Sequence, residues 1–448
     1  MLVTPPHIPP QTKVMSIPQV ARAASRNLLE IIPGLAYEQP MISGRTVARW
    51  HMLMDPDGLR RVLLENAGNY PKSMVTKRML RPAIGDSLFI AEGAHWRWQR
   101  RAAAPVFQHR HLMGLAPYMT EAARRTAMRL VARLGRETDM HKEMVAATFD
   151  VICDVSLSGR GTVDRGAVAR SVDTYIATVG RVSLLDILAL PEWIPRPAAI
   201  WANPGTGDMR RTMDRVIAER TDAPRRDDLL ALMLEAQDPE TERRMTPEEL
   251  RDNLLAFLVA GHETTALALA WSLYLAALDG KVQDRLATEA EAATGGAPAG
   301  AEHLDALPYT RQVIEEAMRL YPPAGMLSRT AAGPDILCGR EVRRGDTVIL
   351  PIYALHRHKM WWDAPDQFDP DNFTPGKVKA RNRYLYLPFG GGPRICIGMN
   401  FAIIEAQIVL ATLMAQYRFT TVPGHVPTPE MVLTTRPRGG VRLLVEAR

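Results

Sequence analysis

The chain has 448 residues, 46% of them hydrophobic, enough to bury a large core. Its 55 basic and 49 acidic residues leave a net charge of +6, too mild to imply nucleic-acid binding. Three cysteines, Cys153, Cys338 and Cys396, are too few for a disulfide framework, so a reducing, cytoplasmic setting is expected. Length alone suggests two or three domains. No repeat or composition shift marks a second folded unit, and a single domain over residues 1–448 is expected.

Met1 to Val20 carries prolines and no long apolar run, so neither a signal peptide nor a membrane anchor is expected. Apolar residues three and four apart predict helices over Gln19–Ile31, Asp57–Asn69, Leu115–Leu134 and Met209–Glu219. A strand is expected over Thr46–Met52, and the Pro191–Pro204 stretch reads as irregular. Leu254–Ala277 is apolar enough to resemble a spanning helix, but His262, Glu263, Thr264 and Thr265 interrupt it. An acid at a bilayer centre costs about 3 kcal/mol, so a buried helix with a polar turn is the better reading. Ala292–Ala301, rich in Gly, Ala and Pro, reads as a loop between helices. Further strands are expected over Asp346–Leu350 and Val441–Val445, with Arg438-Gly439-Gly440 as a hairpin turn before the last. The fold class is therefore mainly α, with small β-sheets towards both ends.

Phe389-Gly390-Gly391-Gly392-Pro393-Arg394-Ile395-Cys396-Ile397-Gly398 is the most informative stretch. Successive glycines free the backbone for conformations that other residues avoid, and let a flat group lie against it. Arg394 is suited to pair with an anion. Met399–Met414 reads as a helix, so Cys396 stands just before a helix N-terminus, where N–H groups and the helix dipole favour a thiolate. A glycine turn and a cysteine also fit a buried structural thiol. The complete spacing Phe-x-x-Gly-x-Arg-x-Cys-x-Gly, however, resembles the haem-binding signature of the cytochrome P450 family.

Three other segments carry the same resemblance, in the family's order, from Trp96 to Gly398. Ala260-Gly261-His262-Glu263-Thr264-Thr265 places a glycine and two threonines mid-helix, which invites a kink or groove. Alone it fits a helix cap or a polar patch equally well. It resembles the family's oxygen-binding turn, which implies that Glu263 and Thr264 relay protons and that Ala260 and Gly261 lie against the cofactor. Glu316-Ala317-Met318-Arg319 is by itself an ordinary i,i+3 pair. It matches the family's Glu-x-x-Arg helix, a structural support for the pocket. Asn372 stands where the family often has arginine, and His356 is a candidate to fill that network. Trp96 and Arg100 match a Trp-x-x-x-Arg helix that holds a haem propionate, and Arg329 is expected to do likewise. Trp98 is read as core packing, and Cys153 and Cys338 as ordinary buried or semi-buried thiols.

The resemblance implies a haem-thiolate monooxygenase carrying haem b (iron protoporphyrin IX), with Phe389, Gly390, Arg394, Cys396 and Gly398 in the cofactor loop and Cys396 as the metal ligand. Cysteinate ligation favours O–O cleavage. Electrons would come from NAD(P)H through a ferredoxin or flavodoxin with its reductase, since no nucleotide-binding glycine loop or fused reductase is read from the sequence. Arg97, Arg101, Arg110, Lys377, Lys379 and Arg381 are candidate docking residues. A monomer acting on a lipophilic substrate is expected, with a long alkyl chain or fatty acid as the substrate guess. Tyr70–Phe89, Asp173–Trp193 and Pro323–Ser328 are the candidate recognition segments. A peroxide-driven enzyme of the same fold, or a haem protein that only binds gas or carries electrons, is the alternative.

Overall fold

The computed structural model describes residues 2–13, 15–45, 48–156, 166, 197–221 and 228–448, with the backbone alone described at residue 17 and over 197–206. The expected segment Asp173–Trp193 lies outside them. A 32-residue helix, Pro247–Leu278, runs through the centre. Its start is fixed by a capping box: the Thr246 hydroxyl accepts from the Glu249 N–H at 3.3 Å, and the Glu249 carboxylate accepts from the Thr246 N–H at 3.0 Å. Helices Met140–Ser156, Pro308–Leu320 and Met399–Gln416 pack around it. The two most apolar helices, Pro247–Leu278 and Met399–Gln416, are long enough to cross a membrane by composition, but most of each is buried within the protein.

Eleven strands frame this helical core among the described residues. They are β1 (Met41–Arg45), β2 (Arg49–Leu53), β3 (Glu137–Asp139), β4 (Leu327–Thr330), β5 (Asp335–Leu337), β6 (Arg340–Val342), β7 (Thr347–Leu350), β8 (Tyr417–Thr421), β9 (Thr428–Met431), β10 (Thr435–Arg438) and β11 (Arg442–Ala447). One sheet has the order β1-β2-β7-β4, another β3-β11-β8, and β9–β10 and β5–β6 are two-stranded ribbons.

Several expectations change. Gln19–Ile31 is not one helix: Ile17–Arg26 ends at Asn27 and a 3-10 turn follows. The Asn27 side chain accepts from Leu29 and Met431 N–H groups and donates to the Pro429 carbonyl, so docking on β9 overrides the helical period. Asp57–Asn69 is likewise broken into an α turn, a π turn over Arg61–Glu65 and a 3-10 turn. There Arg61, Asn66 and Tyr70 all converge on the Asp335 carboxylate. Of the expected strand Thr46–Met52, residues 46 and 47 lie outside the described residues and 49–52 fall in β2, which pairs with β1 so that the Trp50 ring covers Gly44; a Cβ on Gly44 would stand 2.3 Å from that ring. Residues Pro197–Pro204 of the stretch read as irregular are helical, within Pro197–Thr221. The Arg438-Gly439-Gly440 turn makes no hairpin: β10 pairs with β9, whereas β11 pairs with β3 and β8. Positive φ at both glycines turns the chain from one sheet into the next. Cys153 is buried as expected, but Cys338 is exposed.

Candidate active site

The helix Met399–Gln416 starts at Gly398, and a 3-10 turn over Gly392–Arg394 precedes it. Between them the Cys396 N–H donates to the Phe389 carbonyl at 2.9 Å, closing the loop. Gly392 has φ +67°, and a Cβ there would lie 1.9 Å from the Leu63 carbonyl oxygen, so only glycine fits. Cys396 is accessible because it opens onto an internal cavity. Burial pushes its thiol above the usual value, while the Gly398 N–H, Arg100 and Lys72 pull the other way. Burial therefore outweighs the helix start that the sequence suggested would favour the thiolate.

That cavity has a volume of about 1250 Å³ and a predominantly apolar lining. Phe389, Gly390, Arg394, Cys396 and Gly398 form one wall, and Ala260, Gly261, Thr264 and Thr265 lie on the central helix. Trp96, Arg100 and Arg329 line it as well. Tyr70–Phe89 contributes Met74, Met79, Leu88 and Phe89, and Pro323–Ser328 contributes Met326 and Leu327. Trp98 is buried away from the cavity, with Arg243 stacked on it at 3.8 Å.

Lys72, Arg100, Arg329 and Arg394 are among the cations that line the cavity. Glu92 is the carboxylate paired with Arg394, and its Oε1 also accepts from the Lys72 backbone N–H at 2.8 Å. The Arg394 guanidinium lies 4.4 Å over the Trp96 ring, and Lys72 Nζ 3.7 Å over Phe89. Burial, then repulsion from Arg329 and Arg394, holds the Lys72 ammonium well below its ordinary value. Arg329 is pulled down to about 10 by burial and by Arg394. Arg394 Nη1 is buried with no hydrogen-bond partner. This excess of desolvated positive charge fits an anionic ligand. A dicarboxylate porphyrin meets that demand, and Cys396 offers a soft sulfur donor on the same cavity wall. The residues present fit the haem that the resemblance implies.

Glu263 and Thr264 are neighbours with different outlooks. Thr264 Oγ1 donates to the Ala260 carbonyl at 2.8 Å, which holds the hydroxyl on the cavity wall. Glu263 does not line the cavity; its buried carboxylate is ion-paired with Arg436 of β10. His262 turns towards Phe149, edge to face at 5.7 Å, and its carbonyl accepts from Thr148 at 2.6 Å. The helix continues unbroken through this turn. Behind Thr265 stands Glu405 on Met399–Gln416. Its carboxyl is pushed well above the usual value by burial, with a hydrogen bond to Thr265 opposing, and its Oε1 has no partner.

Glu316, Arg319 and His356 lie outside the cavity and are fully buried. Arg319 donates twice to Glu316 at 2.7 Å, and to the carbonyls of His356, Pro365 and Gln367 at 2.9, 2.7 and 2.7 Å. The His356 ring donates from Nδ1 to the Arg319 carbonyl and accepts from the Leu387 N–H at 2.9 Å, which ties this network to the run before the cysteine loop. Burial, then Arg319, lowers its pKa to about 3, so the ring is neutral. Asn372 reaches Glu316 at 3.4 Å. Arg381 occupies the adjoining space, over the Trp362 and Phe373 rings at 4.3 and 4.8 Å, and donates to the Asn372 carbonyl.

Arg381 is thus half-buried packing rather than a free surface cation, and Arg101 is held by Asp238 and Glu240 at 2.7 and 3.2 Å. Arg97, Arg110, Lys377 and Lys379 are exposed. Sequence reasoning missed Lys72, Glu92, Arg436 and Glu405. The first three sit in no recognisable spacing. Glu405 carried a signal: it is the one acid in the apolar helix Met399–Gln416.

The family model described as cytochrome P450 matches residues 37–443. The Mycobacterium bovis protein designated cytochrome P450 132 is 34% identical over 423 residues, covering 89% of this chain and 88% of that protein. Cyclooctatin synthase of Streptomyces melanosporofaciens is 31% identical, covering 88% and 85%. The crystal structure of the cytochrome P450DA heme domain superposes with a TM-score of 0.79 at 26% identity, covering 91% of this chain and 90% of that one. With the mainly helical fold and the cysteine loop on a haem-sized cavity, these matches establish that the chain belongs to the cytochrome P450 family of haem-thiolate monooxygenases.

Proposed function

We propose that Cys396 is the thiolate ligand of the haem iron, with Lys72, Arg100, Arg329 and Arg394 holding the propionates and Trp96 stacked against Arg394. The observation that carries this reading is the joint placement of Cys396 with Lys72, Arg100, Arg329 and Arg394 on a single apolar cavity. When bound, the haem supplies the chemistry that inserts one atom of dioxygen into a C–H bond or a double bond. The chain's own residues do the rest. Ala260 and Gly261 keep the central helix low over the cofactor, since a small wall leaves room for it. Thr264 presents a hydroxyl to the cavity and passes protons inward, with Glu263 as the acid behind it. Glu316, Arg319 and His356 brace the cysteine loop from outside.

The cavity's apolar lining supports a lipophilic substrate, with a long-chain alkyl compound or fatty acid as the class to try first. Electrons pass from NAD(P)H through a reductase and a ferredoxin or flavodoxin, for which exposed Arg97, Arg110, Lys377 and Lys379 offer an acidic partner a basic face. The protein acts as a single-domain monomer.

Two measurements test this. Cys396→Ser should abolish the red-shifted ferrous–carbon monoxide band that marks a thiolate ligand; its persistence would overturn the ligand assignment. Dodecanoic acid should shift the Soret band and be hydroxylated only with NADPH, a plant-type ferredoxin, its reductase and dioxygen. Equal product from hydrogen peroxide alone would replace this reading with a peroxide-driven one. No turnover of any lipophilic compound under donor and dioxygen would leave a gas-binding or electron-carrying protein.

A further inference from the structure

We infer that Met326 and Met431 are sites of self-modification: when no lipophilic compound fills the cavity, the enzyme oxygenates these two thioethers to sulfoxides, and the altered wall then binds such compounds less well. This needs only the family's oxygen insertion, whatever the substrate. Seven of the 22 methionines line the cavity among the described residues, so soft, oxidisable sulfur is concentrated on the surface that faces the reaction.

Met326 and Met431 stand out by where they sit. Met326 precedes Leu327, whose Cδ1 would lie 3.9 Å from a Cβ on Gly390 of the cysteine loop. Met431, at the end of β9 and 4% exposed, turns its sulfur to Gly325, the residue before Met326. A Cβ on Gly325 would lie 3.0 Å from Met431 Sδ, so the glycine makes room for the thioether. The Thr435 N–H donates to the Pro323 carbonyl at 3.0 Å and the Tyr353 N–H to the Gly325 carbonyl at 2.9 Å, which ties ribbon and segment into one wall. Both sulfurs thus adjoin the segment that abuts the cysteine loop. Thr435 Oγ1 is buried with no hydrogen-bond partner and would lie 2.9 Å from that same Cβ. A sulfoxide oxygen on Met431 therefore meets a hydroxyl donor that has no acceptor while the sulfur is reduced, and pairing it stabilises the oxidised form.

Oxygen insertion into a C–H bond must break that bond, whereas a thioether takes the oxygen atom on a sulfur lone pair with no bond broken. The step balances as the established reaction does. Dioxygen, two electrons and two protons enter; one oxygen atom forms the S=O bond, and the other leaves as water. The sulfur is oxidised and the electron donor supplies the pair it supplies for any substrate. Sulfurs fixed on the wall need no diffusional encounter, which favours them whenever nothing else is bound. A compound that fills the cavity shields them. A sulfoxide is polar and bulkier than the thioether, so on an apolar wall it disfavours a lipophilic occupant.

The test uses the haem-loaded full chain with NADPH, a plant-type ferredoxin, its reductase, isotope-labelled dioxygen and catalase, and no organic substrate. Peptide mass spectrometry should find the label on Met326 and Met431 about tenfold or more above Met128 and Met360. Those two are 60% and 56% exposed, and free peroxide would reach them first. Saturating imidazole, which ligates the iron, should abolish the label. After the incubation econazole, a lipophilic azole, should bind about tenfold more weakly relative to imidazole. Met326→Leu/Met431→Leu, a nearly volume-conserving change, should keep its ratio through the same incubation. The ferrous–carbon monoxide band reports that each preparation is folded. Dioxygen consumed with no label on the pair, equal label on Met128 and Met360, an unchanged wild-type ratio, or an equal loss in the double variant would overturn the inference. Failure of the proposed electron route looks different: no dioxygen is consumed with NADPH, and the same labelling outcomes are then read with photoreduced deazaflavin as the donor.

Discussion

Replacing Arg319 alone should cost more stability than replacing Arg319 and Glu316 together. All five guanidinium N–H groups are used, two on Glu316 and three on the carbonyls of His356, Pro365 and Gln367. In Arg319→Met the Glu316 carboxylate remains, 0% exposed, with only the Asp369 N–H at 2.9 Å and Asn372 at 3.4 Å. Removing one partner of a buried ion pair costs about 3–5 kcal/mol, chiefly through the charge left behind. In Glu316→Leu/Arg319→Met that charge is gone, and what remains unmet is neutral: three carbonyls without a donor, and the Asp369 N–H and Asn372 amide without their acceptor. The double variant should therefore recover about 3 kcal/mol over the single. Unfolding entropy of about 2.1 cal/mol/K per residue gives about 0.9 kcal/mol/K for the 448-residue chain, so the midpoints should differ by about 3 °C. Thermal melts followed by far-ultraviolet circular dichroism read this directly. A double variant that melts at or below Arg319→Met would refute the reasoning.

The Glu405 carboxyl is raised by burial, so the native state holds a proton that the unfolded chain releases above about pH 4.3. Glu405→Gln should therefore gain in stability relative to wild type as pH rises above about 4.3, in melts at each pH; parallel curves would count against a buried neutral acid. Arg381→Ala should lower the melting midpoint by removing a cation from two aromatic faces, worth about 1–2 kcal/mol. It should leave ferredoxin affinity unchanged by titration, because the guanidinium is half-buried packing.

The parts of the site legible in the sequence were those held by short-range spacing. The cysteine loop, the Ala260–Thr265 turn and Glu316–Arg319 each lie within ten residues, and the apolar runs Leu254–Ala277 and Met399–Met414 read as helices fall within Pro247–Leu278 and Met399–Gln416. What stayed hidden depends on distant partners. Asn27 breaks an otherwise regular helical period because β9 offers it hydrogen bonds some 400 residues on. The Arg438–Gly440 turn resembled a hairpin because local chemistry marks a reversal but not which sheet each flanking strand joins. Arg436 could not be linked to Glu263, nor Lys72 to the like charges of Arg329 and Arg394, since single charge contacts between distant residues leave no periodic trace. Arg381, read as a surface cation from its company of lysines, is instead claimed by Trp362 and Phe373.

The fit of Gly392 against the Leu63 carbonyl has a consequence in time as well as space. The wall that shapes the cysteine loop is backbone from the π turn Arg61–Glu65, roughly 330 residues earlier in the chain. During synthesis the early wall, the cations Lys72 and Arg100 and the central helix all emerge well before the thiol. A nascent chain can therefore gather Lys72, Arg100 and later Arg329, but neither Arg394 nor Cys396 is in place until the loop has been made and Gly392 lies against the Leu63 carbonyl.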